Sequence, residues 1–272
     1  MTGCPESGGR SDAASLQRQP PAEVRRALRQ AVGFGCPVPG CRSPFLEYHH
    51  FDPEWHVEHH HRAQGLIPLC PTHHAQAGAF TSNQLRQFKE TAHDRSPAGR
   101  FEWLRRELVG AVGGCLYHET PVLVQFRTEP MVWFNRDESG HALLNLRMLT
   151  SVGHEQERIR IQDNDFVVRG TPVDLECPPS GRLLRARYAN GDYMRVEFRE
   201  VRTVGAALKR FPNIRPDGLT MIASQWPLTF VIVTMRAGGT STEFGPTKTR
   251  LPGNNTLSGG VTSNCQIGLV FG

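Results

Sequence analysis

The chain has 272 residues, of which 38% are apolar and 21% charged, and its formal net charge is +5. That length suits one large domain or two ordinary ones, and no run approaches the roughly 18 uncharged apolar residues of a membrane-spanning helix. The positive charge is spread: 13 Lys and Arg stand against 11 Asp and Glu up to residue 118, and 18 against 15 after it. Charge therefore permits a polyanionic partner without identifying one. Seven cysteines, an odd number, with no apolar leader-like stretch near Met1 argue against a disulfide framework. A cytoplasmic location is the expectation.

In chain order, residues 1–19 are rich in Gly, Ser, Gln and Arg and are expected to form a disordered tail. Pro20-Pro21 opens an expected helix from Ala22 to Val32, with Val24, Leu28 and Ala31 on one face. The segment from Gly35 to Gln76 is too rich in Pro, Gly and His for regular periodicity. Thr81 or Ser82 can cap a helix carrying Leu85, Phe88 and Ala92. A further helix is expected from Arg100 to Val112, with Phe101, Leu104 and Leu108 in register and Gly113-Gly114 ending it. From about Pro121 the period becomes two. Leu144, Leu146 and Met148 alternate with polar residues, as do Ile159 and Ile161. Residues 184–188 and 193–198 read as a hairpin around Asn190-Gly191. The apolar stretch from Trp226 to Met235 suits a buried strand, and residues 269–271 a last one. The expected fold is α+β, with a small metal-stapled unit and flanking helices over residues 20–118. A mostly β domain, sandwich or solenoid, follows over residues 119–272.

Three cysteines fall within 35 residues, among eight of the twelve histidines. Cys36-Pro37-Val38-Pro39-Gly40-Cys41 is a C-x4-C pair, and Cys70-Pro71-Thr72-His73 is a C-x2-H pair 28 residues further on. Four ligands of this type are what a closed tetrahedral structural zinc site requires. The intervening segment is too poor in apolar residues to order itself, so ion binding would supply folding free energy. Cys4, Cys115, Cys177 and Cys265 have no partner in the pattern.

Between the two pairs lies Leu46-Glu47-Tyr48-His49-His50-Phe51-Asp52-Pro53, and His74 directly follows the second pair. The order Cys pair, His-His, loop, Leu-Cys-x-x-His-His, helix resembles the zinc-stabilised HNH (ββα-metal) endonucleases over about 60 residues. The resemblance implies a structural Zn²⁺ on Cys36, Cys41, Cys70 and His73. It implies a catalytic divalent ion, Mg²⁺ or Mn²⁺, on His49 and His74, with His50 as general base. The implied activity is hydrolysis of nucleic-acid phosphodiesters, DNA foremost. Arg42, Arg62, Arg86 and Lys89 are candidate phosphate contacts. One position departs from the pattern: Gly65 stands where the family has an Asn that braces the loop behind the base, and Gln64 is the adjacent candidate substitute. The alternative is a non-cutting, zinc-stabilised nucleic-acid-binding module whose β domain senses a ligand or binds a protein partner. The remaining histidines of the loop, His56 and His59 to His61, read as a solvated stretch, and Asp52 and Glu54 as an exposed turn.

Overall fold

The computed structural model describes residues 16–91, 96–150, 157–222 and 226–272. Ala92, Cys4 and the rest of residues 1–15 of the expected tail lie outside them. The first ninety residues form α1 (Ala22–Ala31), β1 (Glu47–His50), β2 (Leu66–Leu69), α2 (Pro71–Ala75) and α3 (Ser82–Thr91). Strands β1 and β2 pair antiparallel, with His49 opposite Ile67 and His50 opposite Leu66. The chain then runs through β3 (Ala98–Arg100), β4 (Val109–Val112), β5 (Cys115–His118), β6 (Val122–Phe126), β7 (Glu129–Arg136), β8 (Ala142–Arg147), β9 (Ile159–Gln162) and β10 (Asp165–Val168). It continues with β11 (Asp174–Glu176), β12 (Leu183–Arg187), β13 (Tyr193–Val201), α4 (Val204–Arg210), α5 (Pro216–Ile222) and β14 (Leu228–Arg236). Last come β15 (Glu243–Phe244), β16 (Thr249–Leu251), β17 (Asn255–Leu257), β18 (Val261–Ser263) and β19 (Ile267–Phe271).

Two large sheets hold the β strands after α3. One is ordered β19-β6-β7-β8-β9-β10-β3; the other runs β11-β12-β13-β14-β15-β16-β17 and also carries β4, β5 and β18. Leu144, Ile161 and Phe166 of the first sheet and Leu184, Val196 and Val233 of the second belong to one buried cluster, so the sheets share a core. This is a sandwich arrangement rather than a solenoid. The hairpin around Asn190-Gly191 forms as its alternation implies: Met194, Val196 and Phe198 are buried, and Gly191 takes φ +87°.

Strand β14 accounts for the long apolar stretch. Val231, Val233 and Met235 face the shared core, while Phe230 and Ile232 face a second cluster with Ala207, Phe211, Leu219 and Ile222 of the α4–α5 region. A strand covered on both faces reads as a continuous apolar run. The two short helices were not apparent in the sequence. Thr203 caps α4 by accepting a hydrogen bond from the Ala206 amide at 3.1 Å.

The helix expected from Arg100 to Val112 does not form. Phe101 is fully buried, just past the end of β3, against Phe166 and Phe198, while Leu104 is 39% exposed. Residues 109–112 are β4, parallel to β14 and antiparallel to β5. Gly113 and Gly114, at φ +58° and +78°, make the β4–β5 turn rather than a helix stop. Three apolar residues at helical spacing fit either structure when the surrounding sheet can supply the backbone partners. Strands β3, β4 and β5 thus lie in the large sheets although they precede residue 119.

The N-terminal unit is seated on the sandwich by several bonds. Phe45 bridges Cys177, and the Leu46 amide donates to the Cys177 carbonyl at 3.2 Å. Gln30 Nε2 donates to the Val173 carbonyl at 2.8 Å. At the centre, Arg29 Nη2 meets buried Asp174 at 2.7 Å, with Arg26 and Arg187 each 3.4 Å from the same carboxylate. Burial by itself would raise the Asp174 carboxyl; Arg29 first, then Arg26 and Arg187, override it and hold the group below the ordinary carboxylate range. Asp174→Ala is expected to cost about 3–5 kcal/mol, because it strands Arg29 in the interface. Because the folded-state value is depressed, the stabilisation is complete above about pH 4, the unfolded value, and fades as pH falls through the folded one. Chemical denaturation at neutral and acidic pH checks this: the difference between parent and variant should shrink in acid.

Candidate metal centre

The two short-spaced pairs converge. Cys36, Cys41, Cys70 and His73 place their ligand atoms within 4.8 Å of one another, and this is the one cluster of three or more such residues among the described residues. The first pair is folded back by a turn in which the Cys41 amide donates to the Val38 carbonyl at 3.0 Å and Gly40 adopts φ +80°. The second pair sits where β2 enters α2: Pro71 occupies the first turn, and the His74 amide donates to the Cys70 carbonyl at 2.7 Å. Cys41 Sγ lies 3.9 Å from Cys70 Sγ, and His73 Nδ1 lies 3.3 Å from Cys36 Sγ and 3.2 Å from Cys70 Sγ. With Zn–S near 2.3 Å and Zn–N near 2.0–2.1 Å, a tetrahedron has edges of roughly 3.8 Å between sulfurs and 3.5 Å from sulfur to nitrogen. The donor set and spacing therefore fit a metal such as zinc. Burial, with neighbouring thiols adding to it, pushes the Cys36 thiol up to about 12, as expected of buried sulfur before an ion displaces its proton.

Beside this cluster stand His49 and His74. Their rings are 5.4 Å apart, edge to face. His74 follows His73 on α2, so the two side chains diverge and serve different neighbourhoods. Glu47 shares a strand face with His49, and its carboxylate lies 3.1 Å from His74 Nδ1. Burial, and then the proximity of His74, lower the affinity of His49 for a proton.

His50 points away from that pair, as adjacent strand positions must. Its ring contacts Trp55, His60 and His61 at 4.7, 5.3 and 6.2 Å. Its Nε2 lies 3.0 Å from the His60 carbonyl, which can only accept, so Nε2 carries the proton and Nδ1 the lone pair. That Nδ1 is buried and has no hydrogen-bond partner. Desolvation outweighs the carbonyl contact and, with the charges of His60, His61 and Arg18, pushes His50 down to about 4. It is a neutral imidazole with an unused acceptor.

The loop behind His50 is braced by His60, which sequence reasoning assigned to solvent. His60 is 4% exposed; its Nε2 donates to the Pro53 carbonyl at 2.9 Å and its Nδ1 accepts from the Arg62 amide at 3.2 Å. Gln64 is exposed and does not take that role. Gly65 is explained by contact: its carbonyl accepts from the Phe51 amide at 2.9 Å, and a Cβ there would overlap the Asp52 carbonyl oxygen and come within 2.8 Å of His60 Cε1. No side chain fits, Asn included. Gly65→Ala is accordingly expected to shift the junction of residues 51–65 and destabilise the unit by roughly 1–3 kcal/mol. Thermal melting with metal-content analysis measures this, and an unchanged melt would count against the close packing. Trp55, stacked on His59 at 4.4 Å, likewise gave no sign in the sequence of its place against His50.

The four candidate phosphate contacts all have partners within the chain. Arg42 Nη2 donates to the Gly33 carbonyl at 3.0 Å, Arg62 pairs with Glu58, and Arg86 pairs with Asp52. Lys89 Nζ donates to the Ala63 and Leu66 carbonyls, and burial lowers its basicity. Cys115 and Cys177 are buried in the sandwich, and Cys265 is exposed. Among the described residues, no helix is long and apolar enough to cross a membrane. No family model, curated protein or solved structure matches this chain.

Proposed function

We propose that the chain is a metal-dependent endonuclease of the HNH type, hydrolysing nucleic-acid phosphodiesters beside a structural zinc. The observation that carries this reading is the imidazole pair His49 and His74, with rings 5.4 Å apart, next in the chain to His50, whose Nδ1 has no partner and lies on the other face of β1. A buried acceptor with no partner is costly unless something uses it, and an imidazole in this state can take the proton of an attacking water. The His60 carbonyl fixes the tautomer that makes Nδ1 the accepting atom. His49 and His74 would hold the catalytic ion, with the Glu47 carboxylate 3.1 Å from His74 Nδ1. When bound, that ion neutralises charge on the scissile phosphate and on the leaving oxygen. Cys36, Cys41, Cys70 and His73 would hold the zinc that keeps β1 and α2 in place.

The donor set also bears on the choice of ion. Two imidazoles suit Mn²⁺ better than Mg²⁺, which favours oxygen ligands and keeps its waters. Nicking of supercoiled plasmid is the test: zinc-loaded protein should cut with Mn²⁺, cut more slowly with Mg²⁺, and lose cutting in His74→Ala. Absence of nicking under all divalent ions would favour the non-cutting binding module, for which the exclusion of the family Asn by Gly65 is the supporting observation.

A further inference from the structure

A cavity of about 420 Å³ opens beside His74, between the segment leading into α1, strand β1 and the chain after β11. Its lining includes Arg18, Arg25, Tyr48, His74, Pro178 and Pro179. The volume is in the range of small-ligand pockets and accommodates one nucleotide unit. Two carboxylates border it, but both are engaged: Glu47 with His74 at 3.1 Å and Glu176 with Arg185. Arg29, also on the wall, is taken by Asp174 and Tyr48. Arg18 and Arg25 differ. Among the described residues neither forms an ion pair, and Arg25 Nε is buried without a hydrogen-bond partner. Two uncommitted guanidinium groups thus border a cavity that shares His74 with the candidate catalytic pair, and Pro178 and Pro179 of the sandwich add apolar surface to its lining.

We infer that this cavity is the subsite for the nucleotide flanking the scissile phosphate, with Arg18 and Arg25 on its phosphate and the Pro178–Pro179 wall against its sugar and base. The inference rests on the nuclease reading and extends it: it assigns the β sandwich a share of the substrate cleft. Arginine suits the task, because its planar fork matches two phosphate oxygens. Pro178 and Pro179 offer a rigid surface that carries no donor of its own.

Fluorescence anisotropy of a labelled 12-mer duplex, followed over a salt series without added divalent ion, tests it. Arg18→Gln/Arg25→Gln should weaken binding roughly tenfold or more at low salt and flatten the plot of log K against log salt by about one to two units. Arg202→Gln/Arg215→Gln removes the same charge from exposed residues paired with Glu200 and Asp217 and should leave both quantities nearly unchanged. Arg18→Gln alone, at an exposed residue whose loss leaves the packing intact, should show part of the effect, which covers misfolding of the double variant. Equal weakening by both charge-matched pairs, or by neither, overturns the subsite. If the parent protein nicks plasmid but the cavity variants bind normally, the subsite falls and the nuclease reading stands. If the parent neither binds nor nicks, both fall.

Discussion

Cys70→Ser, which removes one ligand of the candidate metal site, is expected to abolish metal binding there and unfold the N-terminal unit while the β sandwich stays folded. The reason lies in the distribution of apolar burial. The unit's own buried cluster is small, with Leu46, Phe51, Ile67, Leu69 and Leu85 as its larger side chains and two of the metal-site cysteines among its members. The sandwich has a large core drawn from both sheets. A unit with so little buried area needs a cross-link or an ion, and structural zinc sites contribute on the order of 10 kcal/mol or more. Metal analysis should find about one zinc per parent chain and far less in the variant. Limited proteolysis should cut between residues 35 and 80 in the variant and leave the sandwich intact. A variant that resists protease as well as the parent would show that the four ligands are not what holds the unit together.

His50→Ala should lower cleavage by roughly 10²- to 10⁴-fold, the usual contribution of a positioned acid–base group, with zinc content unchanged. The loss should lie in kcat rather than KM, since His50 is proposed to act on water and not on the bound strand. His60→Ala should produce a smaller loss in the same parameter: it removes the two hydrogen bonds that fix the loop while sparing the carbonyl that His50 uses. Equal rates for parent and His50→Ala would remove His50 from the chemistry.

The metal cluster was legible in the sequence because ligand identity and short spacing are properties of the chain itself: C-x4-C and C-x2-H each bend around one point whatever surrounds them. The hairpin at Asn190-Gly191 was legible for the same reason, since its turn and alternation are local. What failed depended on distant partners. Phe101, Leu104 and Leu108 have helical spacing, but Phe166 and Phe198, far along the chain, take Phe101 into the sandwich core. His60 sat in a run of three histidines that looked solvated. Its burial follows from the close approach of Asp52 to Gly65, which only the glycine hinted at. Arg62, Arg86 and Lys89, the candidate phosphate contacts, have partners within the chain: Glu58 four residues from Arg62, Asp52 at Arg86 and two carbonyls at Lys89. Arg18 lay in a stretch that composition assigned to a disordered tail, although it borders the cavity beside His74.

The central claim is that an open ion site on His49 and His74 lies beside the closed one. Titration of zinc-loaded protein with Mn²⁺, followed by electron paramagnetic resonance, tests it most directly. One exchangeable Mn²⁺ per chain is expected, lost in His74→Ala while the zinc remains. Binding of Mn²⁺ by His74→Ala with the parent's affinity, or no specific binding by the parent, would contradict the claim.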